Sequence, residues 1–355
     1  MTKTKINTSN INNTTKINKN NNKNNNNKYF AKAVTRIKNW SGYNAGMVDR
    51  GNFRELAKLA IKAIKKEIQS KTWFHHVSAG RPRKYPDALI LIIAVYREIF
   101  GLTFREAEGF ANEVFNEFGI EVPDYSTIGR RLGSLKIDLR IDKRRLKGDL
   151  YIMADSTGYK IFGEGEWKTY KHGRSKKRVW VKVHYAVDYT SQQIVGLTVT
   201  SHTRGDNLEA ENLLEETKRN LGNKSSNIAE VLGDGAYNTK ALKKYVEEKC
   251  GSRLNSPPKI KANSNGKEFI GADSEANKRC NLVGRDQWKN EVGYHKRSLV
   301  ETNMFRAKSP FGDKLRCRTK ENQVAEITIR AMILNVWTNK WMPKYTKTDK
   351  NRTKP

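Results

Sequence analysis

The sequence predicts two folded segments in succession: an all-α region over about residues 29–147 and an α/β domain over residues 148–343. Apolar residues recur every three to four positions in the first segment, which is the spacing of an amphipathic helix. Beyond it the spacing changes to alternation and to short apolar runs, which are typical of strands. Residues 1–28 are rich in asparagine and lysine, and we expect them to be a disordered tail, whereas residues 344–355 are predicted to be a basic C-terminal tail.

Three helices are predicted early in the first segment. Residues 54–69 place leucine, isoleucine and alanine on one face and lysine on the other, which indicates an amphipathic helix. Residues 87–100 are largely apolar and should form a buried helix. Residues 104–118 form the third, and Thr103 with Glu106 three positions later provides the capping box that starts it.

A fourth, short helix is predicted after Asp124, and it carries Arg130 and Arg131 in its last turn. Asp in that position accepts hydrogen bonds from the first free backbone N–H groups of a helix. We expect both arginines to face outward, which is compatible with a helix-turn-helix that reads the major groove of DNA. A packed helical bundle without DNA contact is the alternative, and spacing alone does not separate the two.

Beyond residue 147 strands and helices are mixed. Three strands separated by short turns are typical of an antiparallel meander, and a later strand that follows a helix is typical of a parallel addition. The predicted strands are residues 149–159, 179–188, 193–201 and 228–233, and the predicted helices are residues 207–221, 239–250 and 322–341. Residues 255–291 are predicted to be irregular.

The charge of the chain indicates a polyanionic partner. The 355 residues include 68 lysines and arginines against 37 acidic residues, a net charge of +31. Nucleic acid is the usual partner because each neutralised phosphate releases a counterion. Residues 88–96 are the most apolar run and reach only about half the ~20 residues of a membrane span, and residues 1–28 lack the apolar block of a signal peptide. Three widely spaced cysteines predict neither a zinc site nor disulfides.

Four chemically distinctive side chains share one predicted helix: Tyr294, Arg297, Glu301 and Lys308. Because an α-helix advances about 100° per residue, these positions fall within a sector of roughly 60°. A carboxylate flanked by two cations and a phenol suits a site that holds a metal ion beside phosphates. A solvated helix face with an ion pair is the alternative.

Asp155 lies just beyond the apolar stretch of its predicted strand, and Asp234 ends the fourth predicted strand. Ligands gather at the edge of an open sheet where strands end. Either residue alone could be a turn former or a cap. With Glu301 they would make three converging carboxylates, which repel one another unless divalent cations lie between them. Hard, all-oxygen ligands suit Mg²⁺ or Mn²⁺. Two such ions about 4 Å apart support phosphodiester cleavage without a histidine base.

The order of these acids and the words around them resemble the DDE transposases of bacterial and archaeal insertion sequences, specifically the insertion-sequence-five group. Asp155 lies in Asp-Ser-Thr-Gly, Asp234 in Gly-Asp-Gly-Ala-Tyr, and Glu301 in a Tyr, Arg, Glu, Lys signature at the spacings of that group. The resemblance covers about residues 80–343. It implies an RNase H-like catalytic core for residues 148–343 and cut-and-paste DNA transposition.

Several residues are predicted to bind DNA. Arg297 and Lys308 lie about one and two helical turns from Glu301 and suit successive phosphates, while Tyr294 could stack on a base or hold a sugar-phosphate. Pairing of the arginine or the lysine with an acid is the alternative. The basic hairpin expected over residues 167–182 should clamp the DNA backbone. The contacts assigned to it are Lys171, His172, Arg174, Lys176 and Lys177.

The sequence therefore predicts a metal-dependent transposase with two Mg²⁺ or Mn²⁺ ions in each active site. It should bind terminal inverted repeats, hydrolyse a phosphodiester at each element end to free a 3′ hydroxyl, and join that hydroxyl to target DNA. Because both ends must be held together, we expect a homodimer on double-stranded DNA, in a prokaryotic cytoplasm at the nucleoid, with residues 29–147 contributing to DNA binding and dimerisation. Two alternatives stay open: an RNase H-like nuclease that cuts without joining, and a catalytically silent DNA-binding repressor.

Overall fold

The computed structural model describes residues 34–70, 83–161, 180–258, 260–262, 268–270, 275–340 and 345–348. By its contacts the chain divides into two compact units, of which the larger is Trp40–Pro343. Within the smaller unit, Val34–Ile37 pairs antiparallel with Tyr345–Thr348. The tail predicted over residues 1–28 lies outside the described residues, and the predicted boundary between residues 147 and 148 stays a prediction.

The first part of the larger unit is helical, as predicted. Its helices are α1 (Trp40–Arg50), α2 (Phe53–Ser70), α3 (Asp87–Phe100), α4 (Phe104–Phe115) and α5 (Tyr125–Leu132). The capping box of Thr103 and Glu106 is confirmed at the start of α4. α4 ends earlier than predicted because residues Asn116–Phe118 tighten into a 3-10 turn that stops at Gly119, whose φ is 66°. No described helix has the length and apolar character needed to cross a membrane.

A five-stranded mixed sheet follows. Its strands are β1 (Leu150–Lys160), β2 (Trp180–Asp188), β3 (Ile194–Ser201), β4 (Ile228–Leu232) and β5 (Arg253–Asn255), in the spatial order β3-β2-β1-β4-β5. The first three strands pair antiparallel, and β4 and β5 add in parallel beside β1. This arrangement confirms the predicted RNase H-like core.

Helices cover both faces of this sheet. The helices that follow β3 in the chain are α6 (Asp206–Leu221), α7 (Lys240–Cys250), α8 (Glu275–Val283), α9 (Arg285–Glu291), α10 (Ser298–Lys308) and α11 (Lys320–Lys340). α6 and α7 pack with Ile152 of β1, whereas α10 and α11 pack with Met153, because successive strand residues point to opposite faces. The prediction of an irregular segment over residues 255–291 is wrong for α8 and α9. Cys280 of α8 and Trp288 of α9 are each only 2% exposed, and the burial of these side chains stabilises the two helices.

α11 connects the helical part to the sheet. Its residues Ile329 and Met332 belong to the apolar core of the helical part, and Ile327 belongs to the core beneath the sheet. Arg330 is fully buried between the two cores and is paired with carboxylates of α3 and of α11 itself. A buried arginine is tolerated only when it is paired and hydrogen-bonded, and this one also donates to the Gly312 carbonyl at 3.3 Å.

Candidate active site

Asp155 and Asp234 come from neighbouring parallel strands and reach the same edge of the sheet. Met153 of β1 is paired with Leu232 of β4, and each aspartate lies two residues beyond its member of that pair. Asp155 lies just beyond the apolar stretch of its strand, as predicted, and this position is not the end of the strand. β1 continues to Lys160 because its polar residues stay paired with β2. Asp155 is instead at the point where β4 stops covering β1.

Glu301 approaches from the first turn of α10, and Val300 beside it is fully buried against the sheet. The prediction of one helix from Tyr294 to Lys308 is wrong at its beginning, because Tyr294–Arg297 forms a 3-10 turn and α10 starts at Ser298. A 3-10 turn advances about 120° per residue. The predicted common stripe therefore does not extend upstream of α10.

Arg297 joins two of the three acids. Its Nη2 donates to Asp155 Oδ2 at 2.5 Å and its Nη1 donates to Glu301 Oε1 at 2.9 Å. The arginine and Asp155 side chains are 18% and 13% exposed, whereas Glu301 is 59% exposed. Of the two interpretations of Arg297, the free protein therefore adopts the pairing with acids. The guanidinium lies where a cation between these carboxylates would lie.

The site carries more negative than positive charge. Burial raises the pKa of Asp155 despite the nearby Arg297, and the charges of Asp234 and Glu301 raise it further. The same three acids favour the charged form of Arg297 and raise its pKa against the effect of burial. One guanidinium thus faces three carboxylates, and the buried aspartate is ionised at a cost in free energy.

The residues at this site fit a hard divalent cation in their chemistry, because all three offer carboxylate oxygens. In the arrangement seen here, no group of three or more His, Cys, Asp or Glu among the described residues is placed to hold a metal ion. Asp155 Oδ1 accepts a bond from the Ser156 amide, and Asp234 Oδ1 accepts one from the Ala236 amide, each at 2.8 Å. The remaining oxygen of Asp155 is the one that Arg297 holds.

Lys308 is tied to the strand that carries Asp155. Its Nζ donates to Thr157 Oγ1 at 2.6 Å and to the Gly158 carbonyl at 2.9 Å, and it lies 5.0 Å from the centroid of the Tyr159 ring. Burial lowers the pKa of this lysine. In the free protein Lys308 therefore fixes the end of α10 on β1.

Tyr294 lies close enough to Asp155 and Asp234 for their charges to act on it, and its predicted DNA contact stays a prediction. Its half-buried ring packs 6.4 Å from the ring of Trp288. Burial raises the pKa of the phenol, and the charges of Asp234 and Asp155 act in the same direction. Tyr294, Arg297, Glu301 and the two aspartates thus form one cluster, although no single helix carries them.

The two arginines of α5 differ from the prediction in part. Arg131 does not face outward: its side chain is 12% exposed, donates to the Tyr85 carbonyl at 3.0 Å and is paired with Asp87. Both partners belong to the segment that begins α3, so Arg131 holds two helices together. Arg130 is exposed, with a bond of 3.1 Å to Thr127 Oγ1. The predicted contacts Lys171, His172, Arg174, Lys176 and Lys177 lie outside the described residues.

Sequence reasoning missed a polar group on the α6 face of the sheet. Asp206, the first residue of α6, lies 2.8 Å from Lys182 Nζ and 3.3 Å from His184 Nδ1. Hydrogen bonds from His184, Lys182 and Ser156 lower the pKa of Asp206 although burial opposes them. An acid at the start of a helix is common, so nothing in the sequence distinguishes Asp206 from an ordinary helix-capping acid. Tyr237 was also missed, although it lies in the same word as Asp234.

Comparison with known proteins agrees with this geometry. Residues 146–336 match the family described as Transposase DDE domain, and residues 61–164 match a second family of the same description. Among solved structures, the Drosophila P element transposase strand transfer complex is similar at 12% identity over 76% of this chain and 70% of that one, with a TM-score of 0.27, which is too distant to support an argument. The first match spans more than half of the 355 residues and includes all three acids. The chain therefore belongs to the Transposase DDE domain family.

Proposed function

We propose that this protein is a transposase that cuts and joins DNA, with divalent cations held by Asp155, Asp234 and Glu301. The observation that carries the proposal is that Arg297 bonds both Asp155 of β1 and Glu301 of α10, while the charge of Asp234 at the end of β4 acts on Arg297 and Asp155. A site with this excess of partly buried negative charge is completed by cations. Mg²⁺ or Mn²⁺ fits because every offered ligand is a carboxylate oxygen.

When bound, two such ions activate a water or a 3′ hydroxyl and stabilise the leaving oxygen of a phosphodiester. The protein's own residues supply the framework for that chemistry. β1 and β4 fix the two aspartates at one sheet edge, and Val300 fixes α10 so that Glu301 faces them. No histidine is required as a base.

Arg297 has two roles in this proposal. In the free protein it neutralises Asp155 and Glu301. Once those carboxylates ligate cations, the guanidinium can instead bind a DNA phosphate through two parallel N–H donors. Lys308 would likewise exchange its bonds to β1 for a phosphate, and Tyr294 would contact a base or a sugar.

The remaining DNA contacts are proposed from charge. Exposed Arg130 and the basic residues Lys171, His172, Arg174, Lys176 and Lys177 would bind the backbone of the terminal inverted repeats, in keeping with the net charge of +31. Arg131 is withdrawn from this set because its donors are used inside the fold. Two copies of the chain would hold the two element ends. Within the family, we assign the chain to the insertion-sequence-five group on the complete Tyr, Arg, Glu, Lys signature.

The test is cleavage and joining of a duplex that carries one element end and its flanking DNA. The wild-type chain should cut with Mg²⁺ and join the freed 3′ hydroxyl to a second duplex. Asp155→Asn, Asp234→Asn and Glu301→Gln should each abolish both steps while DNA binding persists. Asp286→Asn is the control, because Asp286 is 95% exposed on α9 and is paired with a lysine of its own helix.

The outcomes separate the candidate functions. Cutting without joining by the wild-type chain would favour a nuclease, and binding without either step would favour a repressor. Full activity in any one of the three acid variants would remove that carboxylate from the site.

A further inference from the structure

The hydroxyl of Tyr237 is buried close to the acids without a hydrogen bond. The side chain is 1% exposed, and no atom of the described residues forms a hydrogen bond with its oxygen. Buried hydroxyl groups in folded proteins nearly always have a partner, because an unpaired one loses its bonds to water without replacement. An orphaned hydroxyl at such a place therefore calls for a functional explanation.

The surroundings of this hydroxyl are acidic. Burial raises the pKa of Tyr237 well above its ordinary value, and the charges of Asp206, Asp155 and Asp234 raise it further. The phenol therefore keeps its proton and can act as a hydrogen-bond donor, and the charges of three nearby carboxylates act on it. A neutral O–H donor can hold a carboxylate in one orientation through a hydrogen bond.

The backbone places the Tyr237 ring there by a tight turn. Asp234 caps the 3-10 turn Gly235–Tyr237, and the Tyr237 amide donates to the Asp234 carbonyl at 3.1 Å. The ring folds back onto Gly233: a Cβ at that glycine would lie 2.7 Å from Tyr237 Cγ and 2.8 Å from its Cβ. Only a residue without a side chain fits, so the turn brings the ring back against the residue that precedes Asp234.

Other polar groups lie in the same region. Asp206 Oδ1 lies 2.8 Å from Lys182 Nζ and 3.3 Å from His184 Nδ1, so its contacts run to β2. Ser156, which donates to Asp206, directly follows Asp155 in β1. A layer of polar groups therefore adjoins Asp155.

We propose that Tyr237 is a positioning residue whose hydroxyl donates a hydrogen bond to the Asp155–Asp234 pair when that pair holds a cation. Carboxylates that ligate metals are themselves oriented by hydrogen bonds from a surrounding shell. Ala236 and Ser156 supply such bonds from the backbone to one oxygen of each aspartate. Tyr237 would be the side chain of that shell. This inference rests on the proposed metal site.

The test compares Tyr237→Phe, which removes only the hydroxyl, with the natural chain. Mn²⁺ affinity is measured on the full-length protein by electron paramagnetic resonance. The measurement is made in the natural chain and in an Arg297→Ala background, where the guanidinium no longer competes with the ion for the carboxylates. We expect Mn²⁺ to bind about 10- to 100-fold more weakly in Tyr237→Phe. The metal-free melting temperature should stay equal or rise, because the lost hydroxyl had no partner.

Tyr96→Phe is the matched control. Tyr96 in α3 is equally buried, and its hydroxyl donates to the Phe53 carbonyl at 3.4 Å. Both residues are far from the three acids in the sequence. Its removal should leave the Mn²⁺ affinity unchanged.

Unchanged Mn²⁺ affinity in Tyr237→Phe would overturn the inference. Absence of Mn²⁺ binding in both backgrounds would overturn it together with the proposed metal site. If the natural chain binds Mn²⁺ but does not cut DNA, the proposed function fails while a loss of affinity in Tyr237→Phe still supports the positioning role.

Discussion

Replacing Arg297 by alanine should destabilise the metal-free protein far more than neutralising Glu301. Arg297 and Asp155 are 18% and 13% exposed, and breaking a buried pair on one side costs about 3–5 kcal/mol. Since this pair is not wholly buried, we expect about 3 kcal/mol. Glu301 is 59% exposed, so its share of the contact is screened by solvent, and Glu301→Gln should cost less than about 1 kcal/mol.

The loss should also depend on pH in a defined direction. The pKa of Asp155 is already raised by burial, and Arg297 is the group that lowers it. Without the arginine the folded-state pKa of Asp155 rises further above the unfolded value, so stability is lost as pH rises from the unfolded pKa through the folded one. Arg297→Ala should therefore lose more stability at pH 8 than at pH 5. Adding Asp155→Asn should restore much of the loss, because it removes the unpaired buried charge.

Urea denaturation with a chelator present measures these differences. With an m-value of roughly 1–3 kcal/mol/M, the midpoint of Arg297→Ala should fall by about 1–3 M. Arg279→Ala is the control, because Arg279 makes a bidentate contact with Glu291 at the surface, at 2.8 and 2.9 Å. Equal midpoints for Arg297→Ala and Glu301→Gln, or no recovery in the double variant, would refute the buried clamp.

Three further predictions follow from other contacts. Asp206→Asn should have a lower urea midpoint than the natural chain at neutral pH. The difference between the two midpoints should shrink as pH falls below 3.8, because the folded-state pKa of Asp206 lies below that ordinary value. A difference that stays constant with pH would contradict this. Gly196→Ala should cost about 1–3 kcal/mol or more by the same assay, since its Cβ would lie 2.1 Å from Thr217 Oγ1, and a neutral effect would count against this packing. Arg130→Ala should make the salt dependence of DNA binding shallower by about one phosphate, whereas Arg131→Ala should lower the melting temperature without changing that slope; the reverse pattern would restore Arg131 as a DNA contact.

The sequence was sufficient for features that local chemistry decides. The capping box at Thr103 needs only two side chains three residues apart, and the alternating strands needed only their period. The juxtaposition of Asp155 and Asp234 followed from the parallel pairing of two apolar strands, which fixes both residues at one sheet edge.

Features that depend on distant partners could not be predicted in the same way. Arg131 turns inward because it bonds the Tyr85 carbonyl and Asp87, which are 46 and 44 residues away in the sequence. Helical periodicity does not show which distant residues a side chain will contact. The predicted helix over Tyr294 begins late because a 3-10 turn precedes α10. The position of Tyr237 beside the acids could not be predicted, because it depends on the contact of its ring with Gly233.

Direct metal ligation by the three acids is the central claim, and exchange of the ligand atom tests it most directly. Asp155→Cys, Asp234→Cys and Glu301→Cys each replace a hard oxygen by a soft thiolate, which binds Mg²⁺ poorly and accepts softer ions more readily. DNA cleavage by each variant should be lost with Mg²⁺ and partly restored with Mn²⁺, while the natural chain cuts with both. The assignment would be contradicted if the cysteine variants cut DNA equally well with either ion. It would also be contradicted if all three variants still bound DNA but Mn²⁺ restored cleavage in none of them.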